Sequence, residues 1–180
     1  MRAGLILSLL AAGCVTVPKP VPEAEFGLRL SPASLGRELT LSQRVTVVRG
    51  EERKSFDAQL EVDASAVRIA AVAMGQTIAS LSFDGKSLEQ RVSAHVPPAV
   101  TASRILSDVQ LAWWPAEAIR LGLPAGYSLE EEGGKRSLLQ HGALFASVTY
   151  EGTPPAWRLV RLTQHRFGYL LEIESVEAAP

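Results

Sequence analysis

Hydrophobic and polar residues alternate along most of this chain with a period of two, which is typical of half-buried strands. The alternation runs through residues 39–92 and returns in residues 127–175, and turn residues separate the successive runs. One of these turns is Asp84-Gly85, a dipeptide that strongly favours a short hairpin. The pattern predicts about ten antiparallel strands, each with one apolar and one polar face.

Residues 105–124 depart from this alternation and have the three- and four-residue spacing of an amphipathic helix. The apolar face of the first half consists of Ile105, Leu106, Val109, Ala112 and Trp113. Pro115 ends this helix, because the residue before a proline is pushed out of the α region, and it can open a second helix. Gly122 suits the left-handed residue that ends a helix. The passage therefore predicts a helix, a kink and a second helix.

The position of these helices, between two groups of strands, predicts the architecture of the domain. Ser31 and Pro32 favour one more short helix near its start. The order of elements indicates a single α+β domain in residues 30–177. Because every strand has an apolar face, either the sheet closes as a barrel or the helices fill its open side.

The N-terminal residues have a different composition and predict export and anchoring. Residues 1–13 combine Arg2, a short apolar run and small residues, as secretory signal peptides do. The Leu-Ala-Ala-Gly that precedes Cys14 resembles the lipobox of bacterial lipoproteins, which implies lipidation of Cys14. The alternative is an ordinary signal peptide with an incidental cysteine. Residues 14–29 are then the lipidated cysteine and a proline-rich, extended tether.

The residue after the cysteine bears on the predicted location. Val15 stands where an aspartate would mark retention in the inner membrane of enteric bacteria. The resemblance to lipoproteins therefore implies a lipid anchor in the outer membrane of a Gram-negative bacterium, with the domain facing the periplasm.

Composition and charge exclude several classes of function. The chain has 180 residues, a formal net charge of -1 and no basic stripe, which argues against nucleic acid as a partner. Its single cysteine excludes an intramolecular disulfide. The histidines lack ligand spacing, so no metal site and no other cofactor is predicted. The chain has no nucleophile elbow, zinc-protease motif or phosphate loop, so it is not expected to be an enzyme.

Two segments carry a resemblance to a known family. Residues 108–116, DVQLAWWPA, and residues 164–174, QHRFGYLLEIE, occur with the lipobox, the tether and the strand pattern. Together they resemble the bacterial lipoproteins of domain-of-unknown-function family 3261, over residues 30–176. The resemblance implies a LolA/LolB-like fold, which is an unclosed antiparallel β-barrel covered by a short helical lid, with an acyl-binding cavity between them. It supplies no functional residues that can be carried over to this chain.

The apolar strand faces and the first helix provide candidate residues for such a cavity. The candidates are Val47, Phe56, Leu60, Ile69, Ala71, Ala79, Leu81, Ile105, Val109 and Trp113. The small residues on these strands leave volume for a ligand, unless helix side chains fill the gap. Trp113 and Trp114 either line the cavity mouth or grip an acyl chain, or one ring fills the core between helix and sheet while the other packs on a neighbouring loop. They point about 100° apart on a helix, so both rings cannot serve one cavity wall equally. Met74, in a turn, is either a LolB-like apolar prong for the membrane or a buried methionine at a strand end.

These features predict an outer-membrane-anchored lipoprotein that binds an acyl chain or lipidated cargo for transfer or insertion. The predicted partners are the membrane through the lipid anchor, an acyl chain, glycolipid or lipoprotein cargo, and a periplasmic carrier. The alternative is a structural or assembly lipoprotein that binds no ligand and docks an envelope or export partner. Filled and hollow barrels share the same strand alternation, so the residues leave both hypotheses open.

Overall fold

The computed structural model describes residues 26–93, 101–154 and 156–177, and within them ten strands form one antiparallel sheet. The strands of the first half are β1 (Leu39–Arg49), β2 (Glu52–Val62), β3 (Val67–Ala73), β4 (Gln76–Phe83) and β5 (Leu88–Val92). The strands of the second half are β6 (Tyr127–Glu132), β7 (Lys135–Gln140), β8 (Ala143–Thr153), β9 (Ala156–Gln164) and β10 (Tyr169–Glu177). A 3₁₀ turn, Pro32–Leu35, precedes them.

The sheet is built outward from a central pairing of the first and last strands. Its order is β5-β4-β3-β2-β1-β10-β9-β8-β7-β6, so β5 and β6 are its edges. In the central pair, Val45 lies opposite Ile173. The two edge strands do not pair with each other, and the sheet is therefore an unclosed barrel, as the family resemblance implies.

Two helices follow β5 and cover the concave side of the sheet. Helix α1 (Ala102–Trp113) begins at Thr101, whose hydroxyl accepts a hydrogen bond from the Arg104 amide at 3.3 Å. Trp114 and Pro115 are extended, and helix α2 (Ala116–Gly122) follows, so the predicted kink between two helices is confirmed.

Two details of the second helix differ from the sequence-based expectation. Pro115 precedes the first helical residue, and Gly122 is the last helical residue without a left-handed backbone. Glycine is needed at 122 for another reason, because a Cβ atom there would lie 2.2 Å from the Leu30 side chain. Close packing, and not helix termination, therefore explains this glycine.

Residues 26–31 form a segment without regular secondary structure, here called the strap, that lies against α1. Leu28 is only 1% exposed, and its amide donates to Ser107 Oγ at 3.1 Å. The side chain of Gln110 accepts from the Leu30 amide at 2.9 Å and donates to the Leu30 carbonyl at 2.8 Å. Residues 26–29, assigned to the tether by sequence analysis, thus lie in the folded domain.

The strap bridges the gap between the two edges of the sheet. Phe26 stacks on Tyr127 of β6, with ring centroids 4.4 Å apart. Pro32, directly after the strap, lies against Gly85 in the β4–β5 turn. The strap and α1 therefore cover the seam that would otherwise separate the edge strands.

The two ends of the barrel are packed differently. The Leu39 end, where β1 begins, is closed by buried residues of four strands and the 3₁₀ turn: Leu35, Leu39, Val62, Val67 and Phe83. The Met74 end, where the β3–β4 hairpin turns, also contains Phe26 and the N-terminus of α1. None of the helices in the described ranges is long and apolar enough to cross a membrane.

Candidate ligand site

The sheet register places the predicted cavity residues of the strands in adjacent rows. Leu60 lies opposite Ile69, which lies opposite Leu81. Ala58 lies opposite Ala71, which lies opposite Ala79. Residues that face each other across antiparallel strands share one face of the sheet. The second row presents only methyl groups on three neighbouring strands.

Burial divides the predicted cavity residues into two groups. Four of them are buried, namely Leu60, Ala71, Leu81 and Trp113. Six are half-buried, namely Val47, Phe56, Ile69, Ala79, Ile105 and Val109. We call these six half-buried residues the apolar cleft.

The orientation of helix α1 helps to interpret the partial exposure of two cleft residues, Ile105 and Val109. The strap is bound to the side of α1 that carries Ser107. Ile105 and Val109 are each two residues from Ser107, about 200° around the helix, so they point away from the strap toward the sheet. Side chains between two packed layers are normally fully buried. Their remaining exposure indicates that α1 and the sheet do not fill the space between them at this point.

Polar groups hold the other sides of α1 in place. Asp108 is 6% exposed, and its carboxylate accepts hydrogen bonds from Gln164 Nε2 and from the Tyr169 hydroxyl, both at 2.5 Å. Burial raises the pKa of Asp108 to about 6, although these hydrogen bonds and the charge of Arg104 lower it. The contacts join the middle of α1 to β9 and β10.

A second set of bonds holds the C-terminal end of α1. Arg136 of β7 donates to the carbonyl oxygens of Leu111 at 2.9 Å and Trp114 at 2.8 Å. The Tyr150 hydroxyl donates to the Ala112 carbonyl at 2.9 Å, and burial raises the pKa of this hydroxyl to about 12. These donors satisfy carbonyls that a helix end leaves without intrahelical partners.

The two tryptophans both lie in the core but differ in their polar contacts. Trp114 is 0% exposed, and its indole N–H donates to Ser34 Oγ at 3.0 Å. Trp113 is 6% exposed, and its buried indole nitrogen has no hydrogen-bond partner among the described residues. Trp114 therefore ties α1 to the segment after the strap, whereas Trp113 leaves a donor unused.

Sequence analysis missed several polar residues of the concave side. Gln43 interrupts the apolar series of β1, is buried, and donates to Ser175 Oγ of β10 at 3.1 Å. Asp108 and Gln164 were noted only as parts of the family motifs. A polar residue at an apolar position of the alternation was the available signal, because buried polar groups need a nearby partner.

Met74 is fully exposed at the tip of the β3–β4 hairpin. Its φ is 50° and that of Gly75 is 74°, as a two-residue turn of the type I′ class requires. The interpretation as a buried methionine is wrong, because this turn directs the side chain into solvent. Left-handed backbone is unfavourable for a residue with an unbranched apolar side chain, so hairpin stability does not explain a methionine here.

The structure describes only some of the other residues that the sequence analysis considered. Cys14 and His95 lie outside the described residues, and the described residues contain no group of ligands that could hold a metal.

A groove of about 440 Å³ lies on the convex side of β2 to β5. It is lined largely by polar residues, among them Glu61, Arg68 and Glu89, and its lining also includes Ile69 of the apolar cleft.

The fold and the apolar cleft together define a class of protein. It is an unclosed antiparallel barrel with a helical cover that leaves inward-facing apolar residues partly exposed. The chain belongs to the family of proteins of unknown function DUF3261, whose model matches residues 40–177. The family predicted from the two motifs is thereby confirmed. A comparison with curated proteins gave no match.

Several solved structures are similar to the chain. A LolA superfamily protein from Nitrosomonas europaea is 10% identical, with a TM-score of 0.49 over 84% of this chain and 93% of that one. A domain from Vibrio parahaemolyticus, described as an outer membrane lipoprotein-sorting protein, is 10% identical, with a TM-score of 0.39 over 76% and 82%. A DUF1329 family protein from Desulfovibrio piger is 10% identical, with a TM-score of 0.35 over 81% and 87%.

Proposed function

We propose that this protein is a carrier that holds the acyl chain of a lipid or lipoprotein in the apolar cleft. The observation that supports this function is the partial exposure of Ile105 and Val109, which lie on the side of α1 away from Ser107 and the strap. The facing strands present Phe56, Ile69 and Ala79, so both walls of the cleft are apolar. An acyl chain matches such walls because it needs no hydrogen bonds.

The energetics of an acyl chain determine how such a carrier works. Burying most of a ~16-carbon chain stabilises the complex by about 10 kcal/mol relative to water, at ~0.8 kcal/mol for each CH₂ group. Release into water is too slow to be useful at this affinity. The cargo therefore passes directly from a donor carrier to this protein, and from this protein to a membrane. No bond is made or broken, so the function is not enzymatic.

The proposed location is the outer membrane, with a lipid anchor on Cys14. The strap begins with Phe26, which stacks on Tyr127 at the Met74 end of the barrel. The anchor and the exposed Met74 side chain are thus connected to the same end of the domain. This arrangement suits insertion of Met74 into the bilayer surface during transfer of the cargo.

Native mass spectrometry of residues 15–180, recovered from the periplasm of an expression host, tests the proposal. We expect an additional mass that dissociates as a fatty acid, phospholipid or acylated peptide. A bare protein that also stays bare after incubation with membrane lipids would contradict the carrier function.

The second candidate function is a structural or assembly lipoprotein that docks an envelope or export partner. The observation that favours it is a set of hydrogen bonds that side chains of the four strands β7 to β10 donate to α1. Their acceptors are Asp108, Leu111 and Ala112. A lid fixed in this way opens less readily than a free helix. The bare-protein outcome above would favour this candidate, and crosslinking would then identify the partner.

A further inference from the structure

The concave face of β2 ends in a charged residue at the Met74 end of the barrel. Exposure falls along this face from that end inward: Lys54 is exposed, Phe56 is half-buried, and Ala58 and Leu60 are buried. Alternate residues of a strand share one face, so these side chains point to the same side of the sheet. Lys54 therefore lies at the entrance to the apolar cleft, and the buried residues lie deeper in the barrel.

The pairing of the central strands places Lys54 at the end of an apolar row. Leu162 lies opposite Leu171, Leu171 opposite Val47, and Val47 opposite Lys54. Leu162 is 0% exposed, Leu171 and Val47 are half-buried, and Lys54 is exposed, so the row opens toward β2. Residues that face each other across strands have neighbouring side chains. The Lys54 side chain is therefore adjacent to two residues of the apolar cleft, Val47 and Phe56.

The protein supplies only a weak partner for this cation. Lys54 Nζ lies 3.4 Å from Glu52, and both side chains are 73% exposed. An ion pair of this kind is weak, because water screens it and both side chains must be ordered to form it. Arg49 lies opposite Glu52 in the last pair of β1 and β2. One carboxylate thus stands beside two cations.

The other charged residues of the β1–β2 hairpin lie off the concave face. Arg53 faces the convex side, where it pairs with Glu172 at 2.6 Å, and Glu51 is in the turn between the strands. The hairpin therefore divides its charges, and the group on the concave face contains two cations and one carboxylate.

We infer that Lys54 forms an ion pair with an anionic group at the head of the cargo, either a phosphate or a carboxylate joined to the acyl chain. This inference rests on the proposed carrier function and specifies its ligand. The head group stays in contact with water at the Met74 end, and the hydrocarbon runs inward past Phe56. This orientation is the favourable one, because moving an ionised group into an apolar interior is costly. A phospholipid supplies the phosphate, and a fatty acid supplies the carboxylate.

Two matched pairs of ligands test the inference, in competition with a neutral fluorescent monoacylglycerol delivered from cyclodextrin. Lysophosphatidic acid and the monoacylglycerol of the same chain length differ in the phosphate, and palmitate and methyl palmitate differ in the charge of the carboxyl group. At about pH 8 and low salt, we expect the wild type to prefer the charged member of at least one pair about 3- to 10-fold. The preference should be lost at high salt, which screens the ion pair. The pair that shows it identifies the source of the anion.

Variants of the hairpin assign the preference to Lys54. Lys54→Gln should abolish it and leave binding of the neutral ligands unchanged, because this change removes the charge alone. Lys54→Arg should retain the preference, and Glu52→Gln, which removes the competing carboxylate, should increase it. Lys86→Gln is the matched control, since it removes an exposed lysine from the β4–β5 turn at the Leu39 end. Equal losses in the Lys54 and Lys86 variants would overturn the inference.

Nuclear magnetic resonance of the bound ligand gives a direct readout. Carbon-13 resonances of a labelled carboxylate, or phosphorus-31 resonances of the phosphate, measure the pKa of the bound head group. This pKa should be lower with the wild type than with Lys54→Gln, because a nearby cation favours the charged form. An identical pKa would contradict the inference, as would equal binding of charged and neutral ligands by the wild type. Failure to bind any of these ligands would instead contradict the carrier function itself.

Discussion

At the residue scale, Asp108 is the buried charge with the clearest consequence for stability. Burial disfavours the carboxylate and raises its folded-state pKa to about 6, above the ordinary value of 3.8. Between these two values the native state binds more protons than the unfolded state, so this group contributes less stability as pH rises. The contribution of Asp108 to stability is therefore largest below about pH 4 and is lost as pH rises through about 6.

We expect Asp108→Asn to remove this pH dependence. Relative to the wild type, the variant should gain roughly 1–3 kcal/mol of unfolding free energy between pH 4 and pH 7, following the size of the shift. Urea unfolding at a series of pH values measures this difference. A difference between variant and wild type that does not change with pH would contradict the assignment.

Asp63→Asn is a control of opposite sign. Hydrogen bonds from Arg68 and Ser65 hold the pKa of the partly exposed Asp63 well below its usual range. Its contribution to stability is present above the unfolded-state pKa and is lost as pH falls. The Asp63 variant should therefore be less stable than the wild type by a constant amount between pH 4 and pH 7, and this difference should shrink as pH falls below about 4.

Met74 has an unfavourable left-handed backbone and a fully exposed side chain. A residue that stabilises this turn better would lose the proposed contact with the membrane. We expect Met74→Asn to raise the unfolding free energy by about 0.5–1 kcal/mol, because asparagine tolerates the left-handed region. The same change should weaken vesicle association of the chain without its lipid anchor by roughly tenfold, from the loss of a buried apolar side chain. Vesicle sedimentation measures the association.

Met74→Leu is the matched variant, since it keeps an apolar side chain on the same backbone. It should retain vesicle association and show no gain in stability. Association that is equally strong in the asparagine and leucine variants would remove Met74 from the membrane-contacting surface.

At the element scale, the strap and α1 depend on each other. Gln110 satisfies both the N–H and the carbonyl of Leu30, which lies 80 residues earlier in the chain. Strap and helix are therefore one cooperative unit that covers the seam between β5 and β6. Lid opening, if it accompanies cargo entry, must either carry the strap along or break these bonds.

We expect Gln110→Leu to lower the unfolding free energy by about 2–4 kcal/mol, because it leaves two buried backbone groups unsatisfied. The Leu30 amide should also exchange its hydrogen faster than in the wild type. Gln59→Leu makes the same chemical change on the exposed face of β2, where Gln59 accepts a hydrogen bond from the Ser42 hydroxyl at the surface. It should change stability by less than about 0.5 kcal/mol. Equal effects at both positions would contradict the role of Gln110.

At the scale of the whole molecule, the proposed ligand cleft depends on the small side chains of the sheet, because larger ones in their place would fill the space beneath α1. The row Ala58, Ala71 and Ala79 lies across three strands, beside the half-buried Phe56 and Ile69. The Leu39 end is closed by larger buried side chains. A ligand therefore has room only toward the Met74 end, from which the chain also leads to its predicted anchor.

Filling this space should separate binding from folding. We expect Ala79→Phe to weaken acyl-chain binding at least tenfold, measured by displacement of a fluorescent acyl probe. Its cost in stability should be at most about 1–3 kcal/mol, the range for overpacking, because Ala79 is only half-buried. Ala70→Phe adds the same ring on the opposite face of the neighbouring strand and should leave binding unchanged. Equal binding by both variants would contradict the location of the cleft.

Much of the fold was predictable because its signals are local. The period of two defines the strands, Asp84-Gly85 and similar turns separate them, and Pro115 interrupts the helices, so the element order follows from neighbouring residues. The family motifs then indicated an unclosed barrel. The spacing of Ile105, Val109 and Trp113 likewise identified one side of α1 before its surroundings were known.

The sequence by itself determined the elements, their order and the side of each that is apolar. Only the tertiary structure decided that β1 pairs with β10, that Leu28 and Leu30 belong to the core, and that Asp108 meets Gln164 and Tyr169. These contacts join residues far apart in the chain, and their free energy depends on which partners the fold brings together. The cleft is of the same kind, because whether two apolar faces fill the space between them depends on their separation and not on their composition.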